Sequence, residues 1–141
     1  MGAAAEAFRA QKPSIDSFVA NAKPIESVAA ELGAIYRVAD DSLAAVVRRE
    51  SAKTYDCYTT ARTEHDPFLA GVAHVLVNFG AAGWDIVRVE RHEFSSAAGG
   101  AVVACINARA KSEWVLPTRG IPPGAHLVRL TFKPDSAPAK N

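Results

Sequence analysis

The chain has little of almost everything that announces a function. Sixteen lysines and arginines stand against fifteen aspartates and glutamates in 141 residues, for a formal charge of +1, and no run of five like charges occurs. That balance argues against a general polyanion binder. Cysteine is scarce. Cys57 and Cys105 are the only two, far apart and outside any C-x-x-C pair, so the sequence predicts buried, reduced thiols. No apolar run approaches the roughly 18 residues of a membrane span, and the start lacks a basic segment followed by an apolar core. The expectation is a soluble protein, cytoplasmic or otherwise intracellular and not secreted, with no membrane partner. Met1-Gly2 would suit N-myristoylation, but Glu6 stands where that signal wants Ser or Thr.

Chemistry-bearing motifs are missing too. His65, His74, His92 and His126 show no paired spacing such as H-x-x-x-H, so no metal is expected. Gly99-Gly100 and the GIPPG of Gly120 to Gly124 read as turn chemistry, because neither opens a helix with a lysine in place to cradle phosphate. No cofactor is expected. Cys57 beside Asp56, with His65 downstream, sketches a nucleophile with its acid and base, but a strand there would put Asp56 and Cys57 on opposite faces. No catalytic residue is assigned.

What is present is punctuation and apolar pattern. In Asp66 to Glu90, Asp66 suits a helix cap and Pro67 the first helical position. Phe68, Leu69, Val72, Val75, Leu76 and Phe79 recur at three- and four-residue steps, which predicts a helix from Pro67. Gly80 and Gly83 then form a structural turn, and Trp84 anchors an incoming strand. Through Phe94 that strand changes phase, with Trp84 and Ile86 on one face and Val87 and Val89 on the other, which a bulge or two-sided burial would explain.

Before this stretch, residues 1–13 read as an arm with Phe8 its one large apolar group. Ile15 to Ala22 suggests a short helix, and Pro24 opens a second that Gly33 ends. Residues 35–51 fit two readings, a hairpin of IYRVA with LAAVVRR or a helix capped by Asp41. Lys53 to Ala61, rich in aromatic and β-branched residues, predicts a strand. After the SSAAGG connection, Val102, Ala104, Ile106 and Ala108 alternate with Val103, Cys105, Asn107 and Arg109, predicting a second strand of a hairpin pair. Lys111 to Ala125 reads as a long ordered loop or a crossing segment, and Leu127 to Lys133 as a closing strand with one wet face. These elements predict one α+β domain over residues 14–133. It has a mostly antiparallel sheet of about four strands, helices packed on one face, an N-terminal helical extension, and a flexible tail over 134–141.

Tyr55 through Ala110 resembles a family of short bacterial and phage domains of unknown function. The matching residues are Tyr55 and Tyr58, the segment from Pro67, then Gly80, Gly83, Trp84, Asp85, Ile86 and Val87, then Gly99-Gly100 and the segment from Val102. The resemblance implies a strand, a helix, a Gly-Trp-acidic-aliphatic turn into a second strand, and a Gly-rich hairpin into a third. It covers less than half of the chain, and it implies no activity, cofactor or catalytic residue.

The function expected from these readings is a non-catalytic protein-interaction module, a structural or accessory subunit whose partners are other protein subunits, of its own kind or another. Trp114, set among prolines and charges, is the interface candidate, with Arg109, Lys111 and Arg119 as its rim and Phe8 on the arm. Two alternatives differ in class. A small-ligand binder or enzyme would use a cleft between helices and sheet with Cys57, His74 or His92. A single-strand nucleic-acid binder would use an open sheet face carrying Tyr55, Tyr58, Arg62 and Arg88, and the near-zero net charge counts against it.

Overall fold

A computed structural model describes residues 15–33 and 35–134. Residues 71–80, where the apolar spacing predicts a helix, form instead the central strand. A strand covered on both faces reads as an unbroken apolar run, and periodicity alone cannot tell it from a buried helix. From Gly71 to Val77 every residue is buried. Asp66 does accept a backbone N–H, that of Phe68 at 3.0 Å, but it closes a turn and starts no helix.

The helices are α1 (15–20), α2 (Ile25–Glu31), α3 (Asp41–Ser51), α4 (Asp56–Glu64) and α5 (Gly99–Glu113). The strands are β1 (Tyr36–Val38), β2 (Gly71–Gly80), β3 (Gly83–Phe94) and β4 (Gly124–Phe132), in the sheet order β1-β4-β2-β3. β2 is antiparallel to both neighbours, and β1 joins β4 in parallel. The α+β architecture with a mostly antiparallel four-stranded sheet is therefore as the sequence predicts.

Two other elements exchange type. Lys53 to Ala61 is helical, a 3-10 turn over Ala52–Thr54 running into α4. Its threonines suit a helix because each hydroxyl returns to a carbonyl one turn back: Thr54 to Ser51, Thr59 to Asp56 and Thr63 to Thr59. The expected hairpin strand from Ala101 is the middle of α5. Val102, Ile106 and Ala110, buried at four-residue steps, form its inner stripe, while the intervening alanines satisfy a twofold pattern equally well and favour the helix. Residues 35–51 divide between the two readings: Tyr36–Val38 is a strand whose partner is β4, and a helix follows. Its cap is Asp40, not Asp41, with the carboxylate accepting from Leu43 N at 2.8 Å.

The phase change in β3 is a pair of bulges. Its register with β2 shifts twice, leaving Asp85 and Glu90 without a partner across the ladder. Trp84, Val87, Val89 and Phe94 thereby reach the same face, with Trp84 4.8 Å from the Phe79 ring. Gly83 turns the hairpin at φ 107°, a conformation that side chains disfavour.

Helices cover both faces, not one. α3, α4 and α5 pack their Val47, Tyr58, Val102 and Ile106 against Ala73, Val75, Val77, Val128 and Leu130. The N-terminal helices do not extend that cover. α1 and the turn after it place Ile15, Val19 and Ala22 over Ala70 and Val72, on the opposite side of the strand, and α2 contacts β1 and β4. Cys57 and Cys105 are joined in a disulfide that ties α4 to α5. The reduced thiols expected from sequence are thus corrected. The pairing depends on two helices lying side by side, where the sequence pattern predicts two strands.

Candidate functional site

The sheet has two edges, and they are finished differently. β3 is the long one, and α5 covers part of it. The outward N–H of Val89 donates to Asn107 Oδ1 at 2.7 Å, and Lys111 Nζ donates to the carbonyl of Asp85 at 3.0 Å. Trp84 Nε1 reaches the carbonyl of Pro117 at 2.7 Å. Bulges, charges and a covering helix are ways to keep an edge from pairing with another chain.

The opposite edge is open. β1 spans three residues and pairs only with Ala125 to Leu127, the next bond along being Ala39 N to Leu127 O at 3.0 Å. β4 continues to Phe132. Backbone groups of alternate residues point the same way along a strand, so Arg129 and Thr131 face outward as Leu127 does. Arg129 O accepts from Arg48 Nε at 3.3 Å. Thr131 has no backbone partner on that side among the described residues. A cavity of about 340 Å³ lies there, lined by Arg48, Ser51 and Tyr55 from the helical side and by Arg129 to Phe132 from β4. Near the same edge Ile35 is 90% exposed and Val38 40%. Neither was singled out from sequence, where both belong to an ordinary strand pattern.

The residues expected to form an interface have internal duties. Trp114 is 5% exposed, with its indole N–H donating to Thr54 Oγ1 at 3.2 Å, so little of it remains to offer a partner. Arg109 holds Asp56 through two contacts at 2.8 and 2.9 Å, Glu113 at 2.7 and 2.9 Å, and the carbonyl of Lys53, beside the disulfide sulfurs. Hydrogen bonds to Glu113 and then to Asp56 raise its pKa further above the ordinary arginine value. Lys111 serves the β3 edge, Arg119 is exposed in the loop before β4, and Phe8 lies outside the described residues.

The alternative constellations do not assemble. Cys57 is in the disulfide. His74 lies on the α1/α2 side of β2, opposite the face that carries Ala73 and its cross-strand neighbour His92. Tyr58 is buried, its hydroxyl donating to Leu69 O with the Arg62 guanidinium over its ring, and both sheet faces carry helices, so these aromatics form no open stacking surface. Among the described residues no group of three or more His, Cys, Asp or Glu is gathered as a metal site would require, and no helix is long and apolar enough to cross a membrane.

Two groups carry unusual electrostatics: Glu50, which sequence reasoning missed, and His74, which it named only as one of three cleft candidates. Glu50 is 7% exposed; burial pushes its pKa up, but hydrogen bonds from Lys53 and Val115 N outweigh it and hold the carboxyl below its ordinary value. It thereby pins the chain just after Trp114. His74 is fully buried, and neither ring nitrogen has a hydrogen-bond partner among the described residues. Burial first, and then the charge of Arg129, depress its pKa, so the neutral ring is favoured.

Compared with known proteins, the chain matches no family, no curated protein and no solved structure.

Proposed function

We propose that this chain is a non-catalytic protein-interaction module, an accessory subunit that contributes its β1/β4 edge to a larger assembly. The observation that carries the reading is the contrast between edges: α5 side chains bond two outward backbone groups of β3, at Asp85 and Val89, while β4 runs past β1 with Ile35 and Val38 exposed nearby. An uncovered edge is a template for pairing with another chain. The likeness to the family of short bacterial and phage domains belongs to the same proposal and rests on the Gly80-Gly83-Trp84 turn, since the elements on either side differ from the family's pattern. A disulfide persists best in oxidising surroundings, so Cys57–Cys105 weighs against a reducing cytosol as the working compartment.

Light scattering on the intact chain and on an Ile35→Lys, Val38→Lys variant tests the reading. The expected result is a mass that is a multiple of 14.9 kDa and returns to that of one chain in the variant. A single-chain mass in both would remove self-assembly from the proposal.

A further inference from the structure

The cavity beside the open part of β4 has chemistry of its own. Two of its lining residues are arginines, and no carboxylate lines it. Neither arginine is ion-paired among the described residues. Arg48 spends Nε on the carbonyl of Arg129, and Arg129 donates to the carbonyls of Lys23 at 2.8 Å and Val19 at 3.3 Å. A guanidinium presents five donors, so Arg48 keeps four N–H groups beyond the one it uses here. The cavity therefore joins an outward-facing strand edge at Thr131 to an uncompensated positive charge, with the Phe132 ring as an apolar wall.

We infer that the partner segment received at this edge is a short extended peptide carrying a carboxylate, which pairs its backbone with Thr131 and sets the carboxylate against Arg48. This rests on the interaction-module reading and names its partner. Main-chain hydrogen bonds to an edge give affinity in such complexes, and side-chain pockets give specificity. An arginine and a carboxylate can meet through two parallel hydrogen bonds, which fixes orientation as well as charge. A nucleic-acid backbone offers negative charge but no strand to match the outward N–H and C=O of Thr131, so the two observations together favour peptide.

The test is fluorescence anisotropy of the full chain with labelled five-residue peptides. The first reads threonine, valine, glutamate, valine, threonine; the second has glutamine at the centre; the third repeats the first with alternate backbone amides N-methylated. The expected result is saturable binding of the glutamate peptide, about tenfold tighter than the glutamine peptide, as one charged hydrogen bond implies. Arg48→Gln, a change at an exposed helical position, should erase that difference, and N-methylation should abolish binding with the protein untouched. Equal affinity for the first two peptides would overturn the carboxylate. Undiminished binding of the N-methylated peptide would overturn strand pairing. Binding that emerges only after residues 135–141 are removed would make the occupant this chain's own terminus, and preferential binding of oligothymidylate would make it nucleic acid; either overturns the proposal. Assembly that survives in light scattering while the peptides fail would sink the acidic strand and leave the module reading standing.

Discussion

The two faces of the sheet are held by different physics. Under α3, α4 and α5 the contact is apolar and continuous, with an aromatic group of Tyr55, Tyr58, Phe94 and Phe132 whose neighbouring rings lie 5.1 to 6.5 Å apart, and a disulfide fastens α4 to α5 above it. Under α1 and α2 the apolar patch is small, and charged groups do much of the fastening. Arg129 reaches the two carbonyls of the α1 end, Lys23 N donates to Glu93, and Glu31 receives Lys23 at 2.9 Å and Arg91 at 3.4 Å. Apolar burial is indifferent to pH and salt on this scale, whereas a polar clamp is not. The first face therefore sets the stability of the whole, and the second is the part that can loosen by itself.

The largest way to break the comparison is to cut the disulfide. It closes a loop of 48 residues, which in the chain-entropy account corresponds to about 4 kcal/mol at 25 °C. A Cys57→Ala, Cys105→Ala double variant should lose about that much in urea unfolding, followed by far-UV circular dichroism, and added reductant should bring the parent protein to the same midpoint. A parent midpoint unmoved by reductant would show that the two sulfurs are not joined in solution.

Arg129→Met aims at the other face. It keeps the apolar stem and removes hydrogen bonds from a charged donor, worth roughly 1.5–3 kcal/mol each. The expected loss is about 2 kcal/mol, less than that of the disulfide. It should be local. Hydrogen exchange of residues 15–23 should accelerate, with α4 and α5 keeping their protection. Uniform acceleration across both faces would mean that they unfold as one unit and that the contrast drawn here has no energetic content.

What the sequence disclosed of these faces follows from what each signal measures. Composition and punctuation disclosed the α+β class, Trp84 at the start of β3, the bulge and the closing strand, because turn residues and clean alternation are local properties. Periodicity failed where tertiary environment overrides it. β2 is buried on both sides, so its valines and leucines fit a helical stripe by accident, and α5 alternates only because alanine fills so many of its positions. The open edge was not legible at all. It exists because β1 stops at Val38 while β4 goes on to Phe132, a difference of length between strands nearly ninety residues apart. Arg48 lies in a segment that fits hairpin and helix equally, and nothing in the sequence marks His74 as buried.

His74 provides the smallest effect and the sharpest distinction between the faces. It sits on β2 between Arg91 of β3 and Arg129 of β4, with Glu93 nearby, under a cover whose Lys23 and Glu31 are engaged with each other and with β3. Its pKa is lowered in the folded chain, so on acidification the unfolded chain takes the proton first. Stability is then fully present above the ordinary histidine value of about 6.5 and declines as pH falls below it, by at most about 1.4 kcal/mol per pH unit for one group. Glu31, Glu50 and Glu113 have lowered values, so what they contribute is lost only below the ordinary carboxylate range. The interval from pH 6.5 to about pH 5 thus separates His74 from these three carboxyls. The urea midpoint should fall across it in the parent protein and stay flat in His74→Leu, and it should fall less in Arg129→Met, where one of the repelling charges is gone. Hydrogen exchange at pH 5.5 should show the acid-induced opening at α1 and α2 before any change at α4 and α5. A midpoint that falls equally in parent and His74→Leu would assign the acid sensitivity elsewhere.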